Sequence, residues 1–144
     1  MGILDSFRLD GRVAVVTGAG RGIGRATAIA LAEAGSDVAL LARTEADLDA
    51  VAETVEATGR RALPIAFDVM DMDSMPALTE RVVSELGRLD ILVNNAGGSF
   101  PQPLLDTSAM SFEQAFTFNV TTAFEMTKAA VRPMLAGGGG SVVN

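Results

Sequence analysis

No cysteine, histidine, tyrosine or tryptophan occurs in these 144 residues, and lysine occurs once, at Lys128. Without cysteine there are no disulfides and no thiolate chemistry, and without histidine as well the commonest zinc ligands are gone. No metal site is expected. The same gap excludes a histidine general base and any triad built on one. Positive charge is scarce: 11 Lys and Arg stand against 18 Asp and Glu, a formal net charge of -7. There is no basic stripe of the kind that nucleic-acid phosphates need. No apolar run reaches the roughly 18 residues of a membrane span, and the N-terminus lacks a signal-peptide core. A cytoplasmic protein with neither membrane nor nucleic-acid partners is the expectation. Met1 to Ser6 fits the loose N-myristoylation pattern, which is short and common.

Core material is plentiful, since 49% of the residues are hydrophobic. That suffices for one domain over residues 1–144. Its most informative stretch is TGAGRGIG, Thr17 to Gly24, where an apolar strand pattern gives way to a helical one. Arg12 to Thr17 reads as a strand buried on both faces. Ile23, Ala26, Thr27, Ala30, Leu31 and Ala34 then recur at helical spacing until Gly35. Gly18, Gly22 and Gly24 let the chain turn tightly and approach a pyrophosphate, and the N–H groups that open the helix at Gly22, Ile23 and Gly24 point at it. The stretch is neither GxGxxG nor a P-loop, which would end in Gly-Lys-Ser/Thr. Its pattern is TGxxxGxG.

Strand and helix alternate through the remainder, which predicts a Rossmann-type doubly wound parallel sheet. Asp37 to Ala42 is the second strand. Thr44 to Asp47 resembles a capping box before a helix with Leu48, Val51, Ala52 and Val55 inward. The third strand, Arg61 to Phe67, contains Pro64 and so belongs at a sheet edge. Ser74-Met75-Pro76 starts a helix with Leu78, Val82 and Leu86 inward and Gly87 as its stop. Asp90 to Asn94 is the fourth strand. A loop with Pro101 and Pro103 leads to a long helix capped by Ser111 to Gln114, with a stripe of Phe112, Ala115, Phe116, Asn119, Val120, Ala123, Phe124 and Thr127. Ser141 to Asn144 opens a fifth strand. Right-handed crossovers and the edge proline predict the order 3-2-1-4-5, incomplete because its last strands are absent, with the ligand crevice between strands 1 and 4.

Polar residues at the strand ends converge on that crevice. About 20 residues past the glycine turn, where NAD-binding domains place an acid for the ribose 2′-OH, this chain has Ala42 and Arg43. A guanidinium grips a 2′-phosphate bidentately, so NADP is expected ahead of NAD. Arg21 is either a second cation for it or a solvated loop charge. Asp68 either caps the following turn or accepts from the adenine amine. Of Asn94 and Asn95, one is expected to tie neighbouring strands and the other to reach the cofactor. Asn119 is either a satisfied core amide or an active-site group that interrupts its helix and holds a water.

These residues together resemble the N-terminal part of the short-chain dehydrogenase/reductase family. TGAGRGIG resembles its cofactor turn, Asp68-Val69 its adenine contact, Asn94-Asn95-Ala96-Gly97 its strand-4 motif, and Asn119 the asparagine of its catalytic tetrad. The resemblance implies hydride transfer between a nicotinamide and a carbonyl or secondary alcohol of a small molecule. It also implies cofactor contacts from Gly18, Arg21, Gly22, Ile23, Gly24, Arg43, Asp68, Val69, Asn95, Ala96 and Gly97, a catalytic role for Asn119, and homo-oligomerisation through the helix from Ser111 to Leu135. Family members place a serine shortly after the fifth strand and a Tyr-x-x-x-Lys pair further on. This chain has no tyrosine, Ser141 precedes the expected serine, and Lys128 sits on the preceding helix as a solvated side chain. The expectation is therefore a portion of a longer enzyme, inactive by itself. The alternative is a non-catalytic dinucleotide-binding or interaction module. A relative acting on nucleotide-linked sugars would carry TGxxGxxG, which this turn does not.

Overall fold

The first strand, β1 (Val13–Thr17), is buried at every residue, and this follows from its place in the middle of the sheet. In the computed structural model, which describes residues 2–144, it is flanked by β2 (Asp37–Ala42) and β4 (Ile91–Val93). β3 (Ala62–Ala66) and β5 (Ser141–Val143) are the outer strands. The order is β3-β2-β1-β4-β5 with every pairing parallel, and Val15 lies opposite both Ala39 and Leu92. Pro64 stands on the edge strand β3, where its missing N–H costs no ladder bond. The myristoylation pattern begins at Met1, outside the described residues.

Alternate residues of β1 feed two cores. Val13 and Val15 join Leu78 and Val82 of α3 (Met75–Leu86) and Met126 and Met134 of α5 (Thr122–Ala136). Ala14 and Val16 join Ala28 and Ala32 of α1 (Gly22–Glu33) and Leu48, Val51 and Val55 of α2 (Glu45–Glu56). Helices therefore cover both faces, and the period of 2 along one strand builds both layers. The inward faces of α2 and α3 are those expected, and Gly87 ends α3 at φ 94°.

Three local expectations are corrected. On α1 the buried face is Gly24, Ala28 and Ala32, whereas Ile23 is 79% exposed and Ala26 and Ala30 are exposed too. Small residues let the helix axis approach the sheet, and that selects the face in a helix apolar nearly all round. Thr44 is the N-cap of α2, but its side chain makes no cap hydrogen bond. The long helix begins earlier, at α4 (Ala109–Phe116), where the Ser108 hydroxyl accepts from the Ser111 N–H at 3.1 Å. A π-helical segment, Thr117–Thr121, joins it to α5. Its expected stripe faces outward, with Phe112, Phe116, Val120 and Phe124 at 46–65% exposure, and Thr122, Met126, Ala129, Ala130 and Met134 face the sheet instead.

Two buried carboxylates lock the amino-terminal ends of the strands. Asp37 accepts from the Arg61 N–H at 2.9 Å and from the guanidinium groups of Arg60 and Arg61. Asp90 accepts from the Val13 N–H at 2.9 Å and from the guanidinium groups of Arg12 and Arg88. Burial by itself would raise both carboxyls. For Asp37 the hydrogen bonds from Arg61 and Arg60, and for Asp90 those from Arg88, Val13 and Arg12, outweigh it and hold each below the ordinary carboxylate range.

Candidate functional site

At the opposite, carboxyl-terminal ends of the strands the order reverses between β1 and β4, and a cleft of about 480 Å³ opens there. Gly18, Arg21, Arg43, Asp68, Val69, Asn95, Ala96 and Gly97 all line it. Four separate stretches of the sequence, those that follow β1, β2, β3 and β4, thus meet in one crevice, as the sheet topology requires.

The glycine turn forms the floor of the cleft. Gly18 and Gly22 hold φ of 65° and 56°, a left-handed backbone that a side chain resists. A Cβ on Gly24 would overlap the Gly18 carbonyl oxygen and the Asn95 side-chain nitrogen, so the close packing of α1 on the turn requires glycine there. Arg21, the N-cap of α1, is extended and makes no side-chain cap bond. The N–H groups of Gly22, Ile23 and Gly24 have no helical acceptor, and together with the helix dipole they form a cradle suited to a phosphate. Gly22 has no atom within 4 Å of an added Cβ, and Gly22, Ile23 and Gly24, each expected at the cofactor, adjoin the turn without lining the cleft itself.

Thr17 binds this floor to the next strand. Its buried Oγ1 accepts from the N–H groups of Asn95 at 3.0 Å and Ala96 at 2.9 Å. The Asn95 carboxamide donates to the carbonyls of Thr17 at 3.0 Å and Gly18 at 3.2 Å. Asn95 thus ties β4 to β1. Asn94 ties β4 to α5 and β5, donating to Thr127 Oγ1 at 3.1 Å and to Asn144 Oδ1 at 2.8 Å. Both asparagines therefore act as ties, where one alone was expected to. Thr17 was missed by sequence reasoning, although a hydroxyl closing an apolar strand was its visible signal.

Charged side chains line the cleft from the turn, from the β2 end and from the β3 end. Arg43 and Arg21 make no ion pair among the described residues. Asp68 Oδ1 accepts from the Met70 N–H at 2.9 Å, so it caps its turn while lining the cleft, and Val69 is buried in the core beside it. Asp47, Phe67 and Phe118 also line the cleft, and sequence reasoning named none of them for it.

Asn119 lies outside this lining, one step behind it. It is exposed and sits in the π-helical segment. Its Oδ1 accepts from the Gly98 N–H at 2.9 Å, and its Nδ2 donates to Gly98 O at 2.8 Å and Ala115 O at 2.7 Å. Both amide hydrogens are thereby used on the backbone. The picture of a core amide on a buried stripe is replaced by an exposed clamp between the π-segment and the loop after β4. Lys128 is exposed and pairs with Glu125 at 2.9 Å.

Comparison with known proteins agrees with this geometry. The family model for short chain dehydrogenases matches residues 12–144. An uncharacterized oxidoreductase of Mycobacterium tuberculosis is 52% identical over 143 residues, 99% of this chain and 54% of its own length. A short-chain type dehydrogenase/reductase from Mycobacterium marinum superposes with a TM-score of 0.92 at 40% identity, covering 99% of this chain and 58% of that one. A 7α-hydroxysteroid dehydrogenase, solved with NADH and 7-oxo glycochenodeoxycholic acid, superposes with a TM-score of 0.91 at 35% identity, covering 99% and 55%. The chain spans about half the length of the relatives it matches.

Proposed function

This chain belongs to the short-chain dehydrogenase family, and from that premise we propose that it is the cofactor-holding part of an NADP-dependent oxidoreductase acting on a carbonyl or secondary alcohol. The observation that carries the reading is the corner where β2 ends. Ala42 stands where an acid would select NAD, and Arg43, free of any carboxylate partner among the described residues, lines the cleft beside it. The NADH in the solved hydroxysteroid dehydrogenase supports a nicotinamide dinucleotide here without choosing between the two forms.

In this reading the N–H groups of Gly22, Ile23 and Gly24 hold the pyrophosphate, and Arg21 and Arg43 hold the 2′-phosphate. Asp68 and Val69 meet the adenine, and Asn95 to Gly97 flank the remainder. The nicotinamide, once bound, supplies or receives the hydride. Asn119 positions the loop at Gly98 over the site. Proton exchange with the substrate oxygen falls to residues outside this chain, which has no tyrosine. The exposed apolar side chains of Phe100, Leu104 and Leu105 favour a hydrophobic small-molecule substrate. The outward stripe of α4 and α5 favours a homo-oligomer, and no described helix is long and apolar enough to cross a membrane. We place the protein in the cytoplasm.

Titration of the full-length protein with NADPH and NADH, followed by nucleotide fluorescence, tests the reading. Tighter binding of NADPH is expected. Preference for NADH would remove the role of Arg43, and binding of neither would end the reading altogether.

A further inference from the structure

Arg43 is not the only charged group in the corner where β2 ends. Asp47, in the first turn of α2, lines the same cleft. A Cβ placed on Gly20 would lie 3.0 Å from Asp47 Cβ, 3.4 Å from Ala42 Cβ and 3.7 Å from Asp47 Oδ2. The glycine turn, the end of β2 and the Asp47 side chain therefore touch one another. The ordinary reason for an acid at this position is a capping box, in which it would reach back to the N–H of the N-cap residue. The N-cap is Thr44, and Asp47 makes no such bond, nor an ion pair with any described Lys or Arg. Its carboxylate has no hydrogen-bond or ion-pair partner among the described residues, and Asp47 lines the cleft.

In dinucleotide-binding sheets the acid that accepts from the ribose 2′-OH stands at the end of the second strand. This chain has Ala42 and Arg43 there, yet Asp47 returns a carboxylate to the same corner from the helix. We propose that Asp47 is a specificity-determining residue, which accepts a hydrogen bond from the ribose 2′-OH of NAD and repels the 2′-phosphate of NADP. Cofactor choice is then a contest between Arg43 and Asp47, and Asp47 holds the preference for NADP well below what Arg43 alone would give. Gly20 belongs to the same corner, because a side chain there would crowd Asp47 and Ala42.

This inference rests on the reading of the cleft as a nicotinamide dinucleotide site. The test is a comparison of Asp47→Ala and Asp49→Ala in the full-length protein, by NADPH and NADH fluorescence titration. Asp49 is exposed on the same helix, carries the same charge and does not line the cleft. Asp47→Ala is expected to tighten NADPH about fivefold and weaken NADH about fivefold, the size of one screened charge contact near a surface. Asp49→Ala is expected to leave the NADPH-to-NADH ratio within about twofold, consistent with screening of a more distant charge. An unchanged ratio in Asp47→Ala, an equal loss for both cofactors, or an equal shift in Asp49→Ala would each overturn the proposal while leaving the dinucleotide reading intact. If the unaltered protein binds neither cofactor, the dinucleotide reading fails first and this proposal with it.

Discussion

Asn119 and Gly98 hold each other by two hydrogen bonds, Gly98 N–H to Asn119 Oδ1 at 2.9 Å and Asn119 Nδ2 to Gly98 O at 2.8 Å. This pairing copies one rung of a β-ladder with a side chain in place of a strand. It fixes the loop that leaves β4 against the π-helical segment, at the mouth of the cleft. A Cβ on neighbouring Gly97 would stand 2.5 Å from Asn119 Oδ1, so the clamp also needs glycine at that position.

Removing the clamp should therefore loosen the loop without touching the phosphate cradle. Asn119→Leu in the full-length protein is expected to lower turnover at least tenfold while changing NADPH affinity less than about threefold, in keeping with a group that positions a site. Steady-state kinetics beside a binding titration separates the two quantities. Unchanged turnover in Asn119→Leu would reduce the clamp to a local loop tie.

Arg43 makes the sharpest cofactor prediction. Arg43→Asp should weaken NADPH binding by about 1–3 kcal/mol, the worth of a charge-assisted contact, and spare NADH. Equal weakening of both nucleotides in a fluorescence titration would mean that Arg43 supports the cleft in general and does not read the 2′-phosphate.

The elements that position the site were legible because their signals are local. The β1 run, the turn glycines and the single buried stripes of α2 and α3 each depend on neighbours within a few residues. α1 was misread because it is apolar on nearly every side, and closeness to the sheet chose Gly24, Ala28 and Ala32. In α4 and α5 two apolar faces compete. Met126, Ala130 and Met134 meet the sheet, while the more conspicuous phenylalanines face outward. Periodicity locates such faces but cannot rank them. The charged residues of the cleft were found from strand ends, whereas Thr17 and Asp47 gain their roles only through contacts between distant segments.

Two glycines of the turn should respond differently to the same substitution. Gly24→Ala drives a methyl group into the Gly18 carbonyl and the Asn95 carboxamide, so backbone must shift, at a cost of about 1–3 kcal/mol. Gly22→Ala meets no atom within 4 Å and carries only the penalty of its positive φ, about 1–2 kcal/mol. Gly24→Ala is thus expected to break the tie from Asn95 to the turn and to depress both the denaturation midpoint and NADPH affinity. An unshifted midpoint for Gly24→Ala would show that α1 can slide away from the turn at little cost.

The acid end of the stability profile belongs to Asp37 and Asp90. Both carboxyls are lowered in the folded chain, so their stabilisation is fully present above the ordinary carboxylate pKa of about 4 and is lost as the pH falls through their lower folded values. The unfolded chain binds those protons first, and stability must decline on acidification below about pH 4. Asp90→Asn leaves the guanidinium groups of Arg12 and Arg88 without their shared anion and should cost about 1–3 kcal/mol at pH 7. The cost should shrink towards pH 3, because the unfolded chain's carboxyl takes up its proton first and the advantage of the ionised folded form fades. Urea midpoints at pH 7, 4 and 3 measure this directly. A penalty that stays constant over that range would mean that Asp90 stabilises the strand ends by shape and not by charge.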